Sequence, residues 1–185
     1  PLLKNAQSLK ALDNPRYRYR RILLPALGYA LSLGWRPAVP FMLVLINAVS
    51  LVYMVGVVAR LLAASGRSPW GALFIAGVPG VWCSLLLTTA DLLASLLLVL
   101  SLAAFIHKRY RLLALCFGLG ILTHETMLAV IGSLALPLLF RRQFRDACVM
   151  LMGCLPALLW NVFVLYRIPA AGSTTGIVED FTLPG

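Results

Sequence analysis

Acidic side chains are scarce in this 185-residue chain: six Asp and Glu stand against 16 Lys and Arg, and charged residues make up only 12%. So little charge cannot cover a water-soluble domain when 61% of the residues are hydrophobic, and the mean hydropathy of +0.92 agrees. A net charge of +10 would imply nucleic acid in a soluble chain. Here most basic residues sit at the ends of apolar runs, the pattern of membrane topology, so nucleic acid is excluded as a partner. Histidine is rarer still, with only His107 and His124. His124-Glu125 lacks the second His that a zinc-protease motif places one helical turn on, and His107 lies in a basic loop, which excludes zinc. No Cys-x-x-Cys pair occurs. Cys83, Cys116, Cys148 and Cys154 lie in or beside apolar runs and read as small buried hydrophobes rather than disulfides or metal ligands. The chain shows no signal-peptide layout and no internal repeat. Opening at Pro1 and stopping in a loop-like stretch at Gly185, it reads as a piece of a longer protein.

What is present is a series of long apolar runs joined by short basic loops. That pattern predicts an all-α fold, a polytopic transmembrane helical bundle lying in the lipid bilayer, with a juxtamembrane amphipathic helix. Three regions follow: an interfacial or short-helix region over 1–36, the helical bundle over 37–166, and a loop over 167–185.

The most concentrated chemistry is Asn14-Pro-Arg-Tyr-Arg-Tyr-Arg-Arg-Ile-Leu-Leu-Pro25. Arg16, Arg18, Arg20 and Arg21 alternate with Tyr17 and Tyr19 just before an apolar run. In a helix, Arg16, Tyr17, Arg20 and Arg21 fall within one arc. Guanidinium forks beside phenol rings suit phosphate or carboxylate. A basic cluster that only orients the chain, or touches acidic head groups, is the plainer reading.

Before that stretch, Leu2, Leu3, Leu9 and Leu12 fit a short interfacial helix. After it, 22–35 is broken by Pro25, Gly28 and Gly34 and is short for a span, so it reads as a tilted span or an interfacial helix. Residues 38–59 form a full-length uncharged span in which Asn47, Ser50 and Met54 make a weakly polar stripe facing other helices. Ser68 and Pro69 read as N-cap and first turn of the next helix, which Pro79-Gly80 kinks or ends.

Residues 81–106 hold the one buried-looking Asp. Ser84, Thr88, Asp91 and Ser95 form a polar stripe if the helix is continuous. If it starts at Thr88, then Thr88 to Asp91 makes a capping box with Asp in place of Glu, and Asp91 lies at a membrane surface. Residues 112–140 are interrupted by Thr123-His124-Glu125-Thr126, either polar groups inside one long helix or the meeting point of two short ones. Asp146 opens a further span to about Tyr166. Trp35, Trp70, Trp160 and Tyr166 sit near span ends, as interfacial anchors.

Placing the basic loops 60–68, 107–111 and 141–145 in the cytoplasm leaves Asp91, the Thr-His-Glu-Thr turn and the 167–185 tail outside. It requires 112–140 to cross twice, as two short helices meeting below the surface. The charge rule alone would also put Arg16–Arg21 inside.

The Asp-Asn-Pro-Arg-Tyr-Arg-Tyr-Arg-Arg-Ile-Leu-Leu-Pro run, followed by a Gly-Trp break and a long span, resembles bacterial members of the GT-C superfamily, the polytopic membrane glycosyltransferases related to the mannosyltransferases. Thr-Ala-Asp91 ahead of an apolar helix fits, as does Gly120-Ile-Leu-Thr-His-Glu125, where His124 stands at a position more often Lys or Arg. The resemblance implies sugar transfer from a polyprenyl-phosphate donor on the extracytoplasmic side of the bacterial inner membrane. It also implies that residues 1–21 end the first outer loop, that Arg16–Arg21 lie outside, and that the usual catalytic Asp lies upstream of Pro1. It brings no certain cofactor, although some relatives use a divalent metal ion.

The same chemistry follows from the residues. A lipid-phosphate leaving group needs cations, here Arg16, Arg18, Arg20 and Arg21 with Tyr17 and Tyr19. An acceptor hydroxyl needs a carboxylate base, and Asp91, Glu125 and Asp13 are the candidates, with His124 and Thr88 supporting. The plainer readings are a helix cap for Asp91, a helix N-terminal charge for Glu125 and a turn former for Asp13. The rival class is a transporter or channel subunit whose membrane acids carry ions. Such proteins tend to pair broken helices in related halves, whereas here only Pro79-Gly80 breaks a span clearly.

Overall fold

A computed structural model describes Tyr19 and residues 21–167. All regular structure among the described residues is helical. Two units are distinguished, one of residues 21–157 and one of residues 1–20 with 158–185.

The larger unit begins with α1 (Leu23–Leu31), only nine residues long, about 13 Å. That is too short to cross a hydrocarbon core of about 30 Å, which removes the first of the two readings for 22–35. A 3₁₀ turn at Arg36–Ala38 leads into α2 (Val39–Ala64). Together they form a 29-residue apolar segment long enough to span a membrane, of whose most apolar stretch only 17% is buried. Bare apolar surface of this kind is stable only against other apolar matter.

Residues Pro69–Gly77 follow as a 3₁₀ segment bent by 60° against α3 (Pro79–Leu86). The break falls where Pro79 lacks the N–H a continuing helix needs. Ser68 does stand at the N-cap and Pro69 in the first turn, but the Ser68 side chain caps nothing.

Of the two readings for 81–106, the continuous helix is removed, and the second helix starts at Asp91, not at Thr88. α3 stops at Leu86 and α4 (Asp91–Ile106) starts afresh, so the Ser84–Ser95 stripe is split. Between 112 and 140 the chain takes the two-helix form, α5 (Tyr110–Thr123) and α6 (Met127–Phe140). The single span expected from Asp146 to Tyr166 is likewise divided, into α7 (Phe144–Met152) and α8 (Leu155–Arg167). With each bent pair taken as one span, up to three membrane-crossing segments are present by length and composition.

The core of this unit joins Leu93 and Leu97 of α4, Leu113, Phe117 and Ile121 of α5, Met127 and Ile131 of α6 and Met150 of α7. α5 meets the α7–α8 break backbone to backbone. A Cβ on Gly118 would strike the Gly153 carbonyl, and one on Gly153 would strike the main chain at Ala114. Asn47, Ser50 and Met54 are all buried, as their stripe on α2 predicts.

Five helices of this unit close with a left-handed residue, at Leu33, Gly66, Thr88, Lys108 and Arg142. Arg67, Arg109 and Gln143 donate backbone N–H to the carbonyls of Leu62, Ala104 and Leu138, the long bond of a Schellman cap. Lys108 and Arg142 thereby sit where the helix dipole is negative. α4 and α6, about 24 Å and 21 Å long, carry these basic turns to the end of the unit away from Asp91 and Met127.

In the smaller unit, Trp160 donates its indole N–H to the Tyr19 carbonyl at 3.0 Å and stacks at a tilt on Phe163, with Val164 fully buried. Trp160 is therefore more than a membrane-interface anchor. Trp35, Trp70 and Tyr166 are exposed. Cys116 and Cys154 are buried, but Cys83 and Cys148 are exposed. The expectation of four buried thiols fails for the latter two because α3 and α7 turn those positions away from the core.

Candidate functional site

The starts of α4 and α6 lie side by side. Asp91 is the first residue of α4. Its preceding cap residue is Ala90, and no side chain caps this helix, so the capping box read over Thr88–Asp91 does not form. Thr88 is instead the left-handed residue that ends α3, with φ 51°. For a β-branched side chain that conformation is strained.

His124 makes the turn into α6. Its backbone is extended and its N–H closes α5 on the Gly120 carbonyl at 2.8 Å. Nδ1 accepts the Thr126 N–H at 3.3 Å and lies 2.8 Å from the Thr126 hydroxyl, so the ring satisfies a backbone donor of the turn just ahead of α6. A backbone N–H can only donate. In the neutral ring the proton therefore sits on Nε2, and Nε2 is the atom that faces Asp91 Oδ1, at 3.8 Å. That is ion-pair range and longer than a hydrogen bond. The Asp91 side chain remains 52% exposed against 21% for His124.

Glu125 stands just before Thr126, the cap residue of α6, and so lies outside the first helical turn. It receives Arg21: Nη2 to Oε1 is 3.5 Å, with the side chains 26% and 41% exposed. One end of the unit thus gathers the last arginine of the Arg-Tyr stretch, the Thr-His-Glu-Thr turn and Asp91. A cavity of about 150 Å³ opens there, with Asp91, Ser95, His124 and Thr126 as its polar lining and Ala94, Leu98, Met127 and Val130 as its apolar wall.

Beneath Asp91, the fully buried Asn47 donates its amide to the Thr89 carbonyl at 3.0 Å and to the Ser84 carbonyl at 3.5 Å. Thr123, also fully buried, bonds back to Leu119 at 2.7 Å, which satisfies it within its own helix. Of the other predicted site residues, Tyr19 is described in the smaller unit, whereas Asp13, Arg16, Tyr17, Arg18 and Arg20 lie outside the described residues. So do the amphipathic region 1–14 and the tail beyond 167. Among the described residues no three His, Cys, Asp or Glu side chains converge as metal ligands.

Sequence reasoning put Asn47 on a buried stripe without finding its partner. It treated Trp160 only as an interfacial anchor and did not assign Thr126. The available signal for Asn47 was its cost: an amide inside an apolar span must find partners within the protein.

Comparison of the chain with protein families, curated proteins and solved structures returns no match.

Proposed function

We propose that the chain forms part of a multi-pass glycosyltransferase of the bacterial plasma membrane, of the GT-C type. It moves a sugar from a polyprenyl-phosphate donor to a glycan, lipid or protein acceptor on the extracytoplasmic side. The observation that carries the reading is that Asp91 and His124 line a partly polar cavity at the same end of the helices where Arg21 pairs with Glu125.

In this reading Asp91 is the general base. It is the open carboxylate, with its neighbour His124 held in one tautomer by Thr126. The acceptor O–H gives its proton to Asp91, the acceptor oxygen bonds to the anomeric carbon, and the bond from that carbon to the phosphate oxygen breaks. The departing polyprenyl phosphate carries negative charge, which Arg21 neutralises. Glu125 serves as the counter-ion of Arg21 and not as the base. α4, α5 and α6 are shorter than the hydrocarbon core is thick. The site would then lie below the outer surface in a protein-lined recess, and the turns 107–109 and 141–143 on the cytoplasmic side. The test is sugar transfer in membranes from cells carrying the full-length gene, wild type against Asp91→Asn. Equal transfer rates would end the assignment.

One observation favours the rival transporter reading: a second bent pair, α7 with α8, joins the one at Pro79. Ion or solute flux in proteoliposomes, without transfer from a polyprenyl-phosphate sugar, would select it.

A further inference from the structure

Asn47 is fully buried on α2, yet its bonds go to a single place, the turn that ends α3 and begins α4. Its Nδ2 reaches the carbonyls of Thr89 and Ser84. Ser84 O also accepts the Thr89 N–H at 3.1 Å, so Asn47 sits on the bond that closes the turn. The turn itself is strained, because Thr88 holds a left-handed backbone that a β-branched residue rarely adopts. Two further polar atoms there, Asn47 Oδ1 and Thr89 Oγ1, are buried without hydrogen-bond partners among the described residues. A turn with a strained residue and unsatisfied atoms persists only when something outside it fixes its shape. Among the described residues, the Asn47 amide is the one side-chain group that ties it to another helix through hydrogen bonds.

We propose that Asn47 is a positioning residue, a clamp from α2 that holds the Thr88–Ala90 turn and thereby keeps Asp91 opposite His124. The role refines the proposed transferase site, but the clamp is a statement about geometry and can be tested with no substrate.

The experiment uses the full-length protein in membranes, on a cysteine-free background carrying Asp91→Cys and His124→Cys. A short bifunctional maleimide reads the proximity of the two positions. Adding Asn47→Leu, which keeps apolar volume and removes the amide, should lower cross-linking at least fivefold at unchanged abundance. Adding Thr88→Gly to that variant should restore most of it, because glycine takes the left-handed conformation without strain and no longer needs the clamp. If Asn47→Leu does not reach the membrane, Asn47→Ala is read in the same way, its smaller side chain leaving room for water to reach the carbonyls. Unchanged cross-linking in the Asn47 variant overturns the proposal. So does a loss that Thr88→Gly fails to restore, since general loosening of α2 would not respond to the backbone at position 88. Cross-linking that behaves as expected, beside absent sugar transfer in membranes carrying the protein with native Asp91 and His124, would keep the clamp and remove the transferase reading.

Discussion

Arg21 Nη2 lies 3.5 Å from Glu125 Oε1, which ties the end of the arginine-rich segment to the turn between α5 and α6. Both side chains are partly exposed, so the pair adds at most about 1 kcal/mol to stability. Arg21→Ala should therefore leave the thermal midpoint of the detergent-solubilised protein nearly unchanged. Under the proposed function its effect should appear in sugar transfer. A lost bond to a charged group is worth about 1.5–3 kcal/mol, or roughly a ten- to hundredfold fall. Arg21→Lys keeps the charge but not the fork, and should recover only part of the rate. Full activity in the Lys variant would leave Arg21 an orientation charge.

Asp91 and Glu125 separate by the same assay. Loss of a general base costs about a hundredfold or more, so Asp91→Asn should fall that far at normal abundance. Glu125→Gln, which removes only a counter-ion, should keep turnover within about threefold. The reverse ranking would exchange their roles.

Cysteines placed singly at positions 109 and 142, in a cysteine-free background, should resist an impermeant maleimide added to intact cells. One at position 126 should react. The opposite pattern would invert the arrangement of α4, α5 and α6 in the membrane and remove the extracytoplasmic site.

Gly118→Ala tests the packing beneath the site. The new methyl would overlap the Gly153 carbonyl, and both partners are main chain, so neither yields by a rotamer change. Overpacking of this kind costs about 1–3 kcal/mol, occasionally more. A clear drop in thermal midpoint is expected, whereas Gly132→Ala, inside α6 with nothing within 4 Å of its Cβ, should leave it unchanged or slightly raise it.

Much of the architecture was legible in the chain because apolar helices announce themselves by composition. The burial of Asn47, Ser50 and Met54 followed from their spacing, and the break before Pro79 from its missing N–H. The short-helix pair around His124 stood as one of two readings, because four polar residues interrupt an apolar run there. The left-handed turn at Thr88 was not legible. Thr is a poor choice for that backbone, and as an N-cap it would have been a good one, so local propensity pointed to the wrong end of a helix. The division at Gly153 escaped for a different reason. A lone glycine in an apolar run says little until the facing Gly118 is known, and that is a contact between distant parts of the chain. The approach of Arg21 to Glu125 is a tertiary fact of the same kind.

The Schellman caps at Gly66, Lys108 and Arg142 have a practical consequence for digestion. That end of the unit is rich in trypsin sites, among them Arg67, Lys108, Arg109, Arg111, Arg141 and Arg142. A protease must draw several residues into an extended strand before it can cut, and these turns are three or four residues of hydrogen-bonded backbone set directly into helices. Trypsin offered to that face should leave the helices in one piece despite the density of its targets. Resistance there would report the tightness of the turns and not the side of the membrane they occupy.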